Sequence, residues 1–147
     1  MNAYSTINDV LVKLFNEIWD LEEKALITGE FRDITINDMH IIEAIGLGEG
    51  NNMSTIAKKL NITVGSLTTS MNSLVKKLYV VRERSETDRR VVNIRLTDKG
   101  ERAYNHHSNF HHMLTDAVVG SLEEDEIPVL TKTLAGLSDF FRKYEVK

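Results

Sequence analysis

The feature that most restricts this chain is a change of period in its middle. Between Ser54 and about Lys77, apolar residues recur at helical spacing in two short runs, Thr55–Leu60 and Val64–Lys77, separated only by Asn61-Ile62. The pattern then alternates. Tyr79–Arg84 and Val91–Leu96 are β-branched and basic, and they flank a polar tip, Ser85-Glu86-Thr87-Asp88-Arg89-Arg90, so they read as a hairpin. Ser54 is placed to cap the first short helix and Thr63 the second. Leu67, Met71, Leu74, Val75 and Leu78 mark the buried face of that second helix. Ser66, Thr69, Ser70, Asn72, Ser73 and Lys76 form the other face, with Thr68 near its edge. Small hydroxyl and amide side chains there suit a helix that lies close against something polar.

The flanks are helical. An amphipathic helix is expected from about Thr6 to Ile27, carried by Ile7, Val10, Leu11, Leu14, Phe15, Ile18, Trp19 and Leu21, and another from about Thr35 to Ile45. Gly46 to Asn52 is a flexible break; its glycines have no strand before them and no Gly-Lys-Ser/Thr after them, so it is a turn and not a nucleotide loop. Thr97-Asp98 should cap a long helix to about Val119. Ser121 and Glu124 match a capping box for a last helix, whose start Pro128 should delay or kink. Leu130, Leu134, Leu137, Phe140 and Phe141 give that helix its apolar stripe.

Charge is unevenly placed. The chain carries a net −4, yet Met53 to Gly100 holds ten Lys/Arg against four Asp/Glu, a net +6, which leaves −10 on the rest. A basic middle between acidic ends fits a lobe that meets a polyanion. With no cysteine, disulfides, thiolate metal sites and a cysteine nucleophile are excluded. No apolar stretch approaches the ~18 residues a membrane span needs, and Met1-Asn2-Ala3-Tyr4-Ser5 has neither a basic flank nor a cleavage site, so a cytoplasmic protein without a membrane partner is expected. Neither a nucleophile elbow nor a metalloprotease helix is present, and paired acids such as Glu22-Glu23 read as solvated faces, so no enzyme is expected.

Helix, tight turn, helix and basic hairpin, in that order, is the layout of a winged helix-turn-helix. The expected fold is mainly α with a small β-hairpin wing. It forms one domain over 1–147, with a DNA-binding lobe at about 31–100 and a helical dimerisation region at about 1–30 and 101–147. Double-stranded DNA is the expected partner. The Thr63–Lys77 helix would enter the major groove, with Ser54, Thr63, Val64, Ser66, Thr68, Thr69 and Asn72 as candidate contacts. Gly65 would let backbone approach closely, and Lys58, Lys59, Lys76 and Lys77 suit phosphates. At the wing, Arg89 and Arg90 would insert into the minor groove, with Asp88 pairing a nearby arginine to aim it and Arg84 as a further candidate DNA contact. A protein-binding winged helix is the alternative, and it gives no reason to keep so basic a wing.

The run Arg82-Glu83-Arg84-Ser85-Glu86-Thr87-Asp88-Arg89-Arg90-Val91, followed by Leu96-Thr97-Asp98-Lys99-Gly100, resembles the wing signature of the MarR family. Thr55-Ile56-Ala57-Lys58-Lys59-Leu60 extends the likeness. The resemblance implies an obligate homodimer formed by the first and the last two helices, with an effector pocket between that interface and the DNA lobe. One position departs from the family: Leu78 stands where glycine is usual, so the turn into the wing is expected to be built differently. Ile7-Asn8, Leu14-Phe15-Asn16, Glu22-Glu23, Phe31-Arg32-Asp33 and Met39-His40 are similar to the branch that represses fatty-acid synthesis genes. That likeness implies acyl chains on acyl carrier protein as co-repressor, entering past Phe15, Trp19, Ile42 and Met113.

All five histidines avoid the basic middle. His107 and His111 lie one helical turn apart, where both rings can share a metal, and His40 with Glu23 would complete four ligands. These positions resemble those of the zinc-sensing members of the family, which implies a zinc-responsive regulator of metal uptake as a competing reading. No cofactor is required otherwise.

Overall fold

The structure is a computed structural model and describes residues 2–144. Met1 and residues 145–147, the outer ends of the expected dimerisation ranges, lie outside the described residues. Six helices and a small sheet are present: α1 (Ala3–Leu26), α2 (Ile36–Ile45), β1 (Asn51–Asn52), α3 (Met53–Leu60), α4 (Val64–Lys76), β2 (Val80–Arg84), β3 (Val92–Leu96), α5 (Asp98–Gly120) and α6 (Ile127–Tyr144). They fall into two compact units, one ending at Phe110 and one beginning at His111. No helix among the described residues is long and apolar enough to cross a membrane.

Caps explain where the helices of the first unit begin. α1 starts three residues earlier than its apolar pattern suggests because Asn2 accepts from the Ser5 N–H at 2.8 Å. α2 opens with a reciprocal box, in which the Thr35 hydroxyl accepts from the Asp38 N–H and the Asp38 carboxylate from the Thr35 N–H, each at 3.1 Å. The cap of α3 is Asn52, at 2.8 Å from the Thr55 N–H, and not Ser54, which is exposed inside the first turn. α4 is capped by Thr63 as expected, at 3.0 Å from the Ser66 N–H.

The expected hairpin forms with Val80 opposite Leu96 and Arg84 opposite Val92. A third strand joins it. Asn51 and Asn52 pair with Ile94 and Asn93, giving the antiparallel order β1-β3-β2. The stretch read as a flexible break therefore ends in the sheet. Gly50 makes this possible: its φ is +74°, and a Cβ there would sit 1.8 Å from the Ile94 carbonyl oxygen. The core of this unit lies between α2, α3, α4 and the inner face of the sheet, where Ile42, Ile56, Leu67, Met71, Leu74 and Ile94 are fully buried. α1 adds only Glu22 and Leu26 to the buried set, while Ile7, Val10, Leu11, Leu14, Phe15 and Trp19 stay exposed.

Leu78 does adopt the left-handed conformation, with φ of 69°, contrary to the expectation of a different turn. Such a residue costs roughly 1–2 kcal/mol. Three bonds offset it. The Tyr79 N–H reaches the Leu74 carbonyl at 3.0 Å and the Leu78 N–H reaches that of Val75 at 3.1 Å, a Schellman closure of α4. The Thr97 hydroxyl donates to the Leu78 carbonyl at 2.5 Å while accepting from the Gly100 N–H at 3.1 Å.

The second unit holds the end of α5, a 3-10 turn at Glu124–Glu126 and α6. Its capping box is made by Glu123 and Glu126, not by Ser121 and Glu124. Ser121 instead donates its hydroxyl to the Val118 carbonyl at 2.7 Å, closing α5. Pro128 then falls in the first turn of α6, where it needs no N–H partner. Leu114, Val118, Leu122, Ile127 and Leu130 line an apolar groove of about 380 Å³, and no residue of α6 is buried.

Candidate nucleic-acid interface

The exposed face of α4 carries the residues expected to read DNA. Val64, Gly65, Ser66, Thr69, Asn72 and Lys76 are exposed, and Thr68 is half-buried. Several are already engaged. The Thr63 hydroxyl donates to Ser66 Oγ at 3.0 Å, and the Thr68 hydroxyl donates to the Val64 carbonyl at 2.8 Å. Arg82, on β2, donates from Nη2 to Asn72 Oδ1 and so ties the wing strand to α4. Of the four lysines expected at phosphates, Lys58, Lys59 and Lys76 are exposed and Lys77 is half-buried. Lys59 donates to the Ala44 carbonyl at 3.3 Å and Lys77 to that of Asp33.

At the wing tip the loop is shaped by its own charges. Arg84 donates to the Arg89 carbonyl at 2.6 Å, and the Asp88 N–H donates to the Ser85 hydroxyl at 3.3 Å. Asp88 takes both Nε and Nη2 of Arg90, at 3.1 and 3.2 Å, and also accepts from the Arg90 backbone N–H. The arginine that the aspartate aims is therefore Arg90, whose side chain remains 91% exposed. Those bonds hold the Asp88 carboxyl below its usual range. On the strands, Arg95 meets Glu83 at 2.6 Å, which lowers the Glu83 carboxyl in the same way. Asn52, Met53, Ser54, Arg90, Val91 and Val92 line a cleft of about 370 Å³, so Ser54 at the start of α3 and Arg90 at the wing share one concavity. These elements make a winged helix-turn-helix with a basic wing.

The expected metal ligands sort differently. Glu23 is exposed, and the carboxylate facing the histidines is that of Glu22, 7% exposed. Glu22 Oε1 lies 3.1 Å from His107 Nε2 and 3.4 Å from His40 Nε2, and the His40 and His107 rings stack with centroids 5.6 Å apart. His107 Nδ1 is 3.6 Å from Glu43. The signal was present in sequence, because Glu22 falls four residues before Leu26, the other buried residue of α1, and one residue off that stripe is Glu23. His111 follows His107 by one turn of α5, in the second unit. Among the expected effector residues, Phe15 and Trp19 are exposed, and Trp19 meets His40 edge-on at 6.3 Å. Ile42 is fully buried and presents no surface to a ligand; Met113 is exposed in the second unit.

Comparison with known proteins agrees with this reading of the fold. The family described as transcriptional regulator SarA/Rot matches residues 23–107. Streptococcus pneumoniae FabT, solved in complex with DNA, is 38% identical, with 97% of this chain and 99% of that chain covered and a TM-score of 0.85. SarZ of Staphylococcus saprophyticus is 36% identical over 69 residues, which is 47% of each chain. A point mutant of S. aureus MepR bound to an oligodeoxyribonucleotide shares the fold at 21% identity, with 96% of this chain and 99% of that one covered and a TM-score of 0.63. The protein thus has the winged-helix architecture of MarR-type regulators. It belongs to the SarA/Rot family of transcriptional regulators. The chain spans about half the length of the curated relatives it matches.

Proposed function

We propose that the protein is a homodimeric repressor that binds a palindromic operator, placing α4 in the major groove and the Asp88–Arg90 wing tip in the minor groove. The observation that carries this reading is the wing: an exposed Arg90 held by a bidentate carboxylate beside a helix whose outer face is small and polar. The exposed apolar side chains of α1, and separately those of α6 (Val129, Leu134, Phe140 and Phe141), support a dimer, because contiguous apolar surface on a monomer marks an interface. We further propose fatty-acid synthesis genes as the target and acyl chains on acyl carrier protein as the co-repressor, on the strength of the 38% identity to FabT and the N-terminal motifs. Exposed Phe15 and Trp19 are the apolar residues that such a chain would meet first.

Recovery and sequencing of host genomic fragments bound by the purified protein, with and without acylated carrier protein, tests this reading. Enrichment of a palindrome upstream of fatty-acid synthesis genes, stronger with the acylated carrier, is expected. Failure to enrich any sequence in either condition overturns it.

The Glu22–His40–His107 cluster supports a second reading, a zinc-responsive regulator, since one carboxylate and two imidazoles of borderline hardness suit that ion. Calorimetric titration with zinc decides it: stoichiometric binding that is weakened in Glu22→Gln supports the reading, and no binding removes it.

A further inference from the structure

We infer that Arg82 sets the base preference of Asn72, turning a side chain that ordinarily selects adenine into one that selects guanine. The inference rests on the proposed placement of α4 in the major groove.

An asparagine amide reads adenine by using both ends at once, with Oδ1 accepting from N6 and Nδ2 donating to N7. Oδ1 carries two lone pairs, so a bond to one leaves the other to an amino group only where the amide is aimed at it and no neighbouring positive charge repels it. Here Oδ1 accepts from Arg82 Nη2. The direction of the amide is fixed by chemistry, because a guanidinium has five N–H donors and no acceptor, so only the oxygen of Asn72 can face it. The Nδ2 amide is thereby turned away from β2. A positive guanidinium also sits beside the place where an adenine amino group would dock, and that favours electron-rich edges over donors. Guanine presents two acceptors, O6 and N7, in the major groove. The Asn72 amide N–H groups match them, and so do the further N–H groups of Arg82.

The same face of α4 provides an internal comparison. Thr68 lies one turn before Asn72. Its hydroxyl hydrogen is committed to the Val64 carbonyl at 2.8 Å, so outward it offers oxygen lone pairs and a methyl group. Thr68 and Asn72 therefore carry opposite polarity one above the other. Only the second depends on the wing strand.

The test is selection from a randomised duplex library by the full chain and by Arg82→Met and Asn72→Ala variants, each checked by thermal melting and by affinity for a non-cognate duplex. The wild type is expected to enrich guanine at one symmetry-related pair of positions. Asn72→Ala should lose the preference at those positions alone. Arg82→Met, with Oδ1 released, should move them toward adenine by about tenfold and leave the position read by Thr68 unchanged. The inference is overturned if Arg82→Met keeps the wild-type preference at every position, or if Asn72→Ala changes none, in either case with operator binding intact. Absence of any enriched sequence with the wild type overturns the DNA-binding reading itself, and this inference with it.

Discussion

The Tyr79 hydroxyl donates to Asp33 Oδ1 at 2.6 Å, joining residues 46 positions apart in sequence. Tyr79 is fully buried at the root of the wing, and its hydroxyl also reaches the Glu30 carbonyl at 3.2 Å. Lys99 lies 4.4 Å above the Tyr79 ring and 3.7 Å from Asp33, and Arg102 grips Glu30 with two hydrogen bonds. The segment before α2, the end of α4 and the start of α5 thus meet at one phenol. Tyr79→Phe keeps the ring and removes the bond, so a loss of about 1 kcal/mol is expected in urea unfolding, with an unchanged slope.

The same contact makes an acid-side prediction. The Tyr79 hydrogen bond, and then the Lys99 and Lys77 charges, hold the Asp33 carboxyl below its usual range. A carboxyl lowered in the folded state stabilises the fold at pH above its unfolded value, and the contribution is lost as pH falls through the folded value. The stability gap between wild type and Asp33→Asn should be flat from pH 7 to about 5. It should close on acidification below about 4, the ordinary aspartate value. A gap that instead widened toward acid would show that the carboxylate is not the stabilising form.

Gly50→Ala should be among the most damaging single-methyl changes. The added Cβ would collide with backbone, at 1.8 Å from the Ile94 carbonyl oxygen, and φ of +74° adds strain. β1 must separate from β3, and a loss of about 2–4 kcal/mol is expected by chemical denaturation.

Gly65→Ala should separate folding from binding. A Cβ at Gly65 would meet only Thr63 Oγ1, at 3.9 Å. Stability should hold or rise by up to about 1 kcal/mol, as helix propensity predicts. On the proposed placement of α4 in the major groove, affinity for the selected operator should nevertheless fall, because the methyl would stand between the helix start and the duplex. Equal affinity in the two proteins would place that helix start away from the duplex.

Arg90→Ala tests the wing. Each lost contact to the polyanion should reduce the salt slope of operator binding by about 1, with little effect on melting temperature, since the side chain is 91% exposed. Unchanged affinity and slope would favour a winged helix that binds protein instead of DNA.

Much of this architecture was legible because it rests on periodicity. The α4 stripe, the hairpin and the Thr63 cap all follow from local spacing, and all formed within a residue or two of expectation. What spacing does not carry is choice among neighbours. Asn52 and Ser54 are both good caps, and the selection of Asn52 is made by its pairing with Asn93 on β3, a contact some forty residues distant. Glu22 and Glu23 differ only in which side of α1 they occupy, which Leu26 decides. Asn72 was readable as a groove residue, whereas its bond to Arg82 required the fold to bring a strand beside it. Leu78 shows the opposite limit: its unfavourable conformation is held by Thr97, a residue far along the chain whose hydroxyl no local pattern connects to it.

That Thr97 hydroxyl has a mechanical consequence. It fastens the last carbonyl of the turn after α4 while receiving the N–H of Gly100 at the head of α5, and the Thr97 N–H itself reaches the Tyr79 carbonyl at 3.0 Å. The end of α4, the start of the wing and the head of α5 are riveted at a single side chain. Neither α4 nor the wing can tilt without dragging the other, so the two are built to move as one piece.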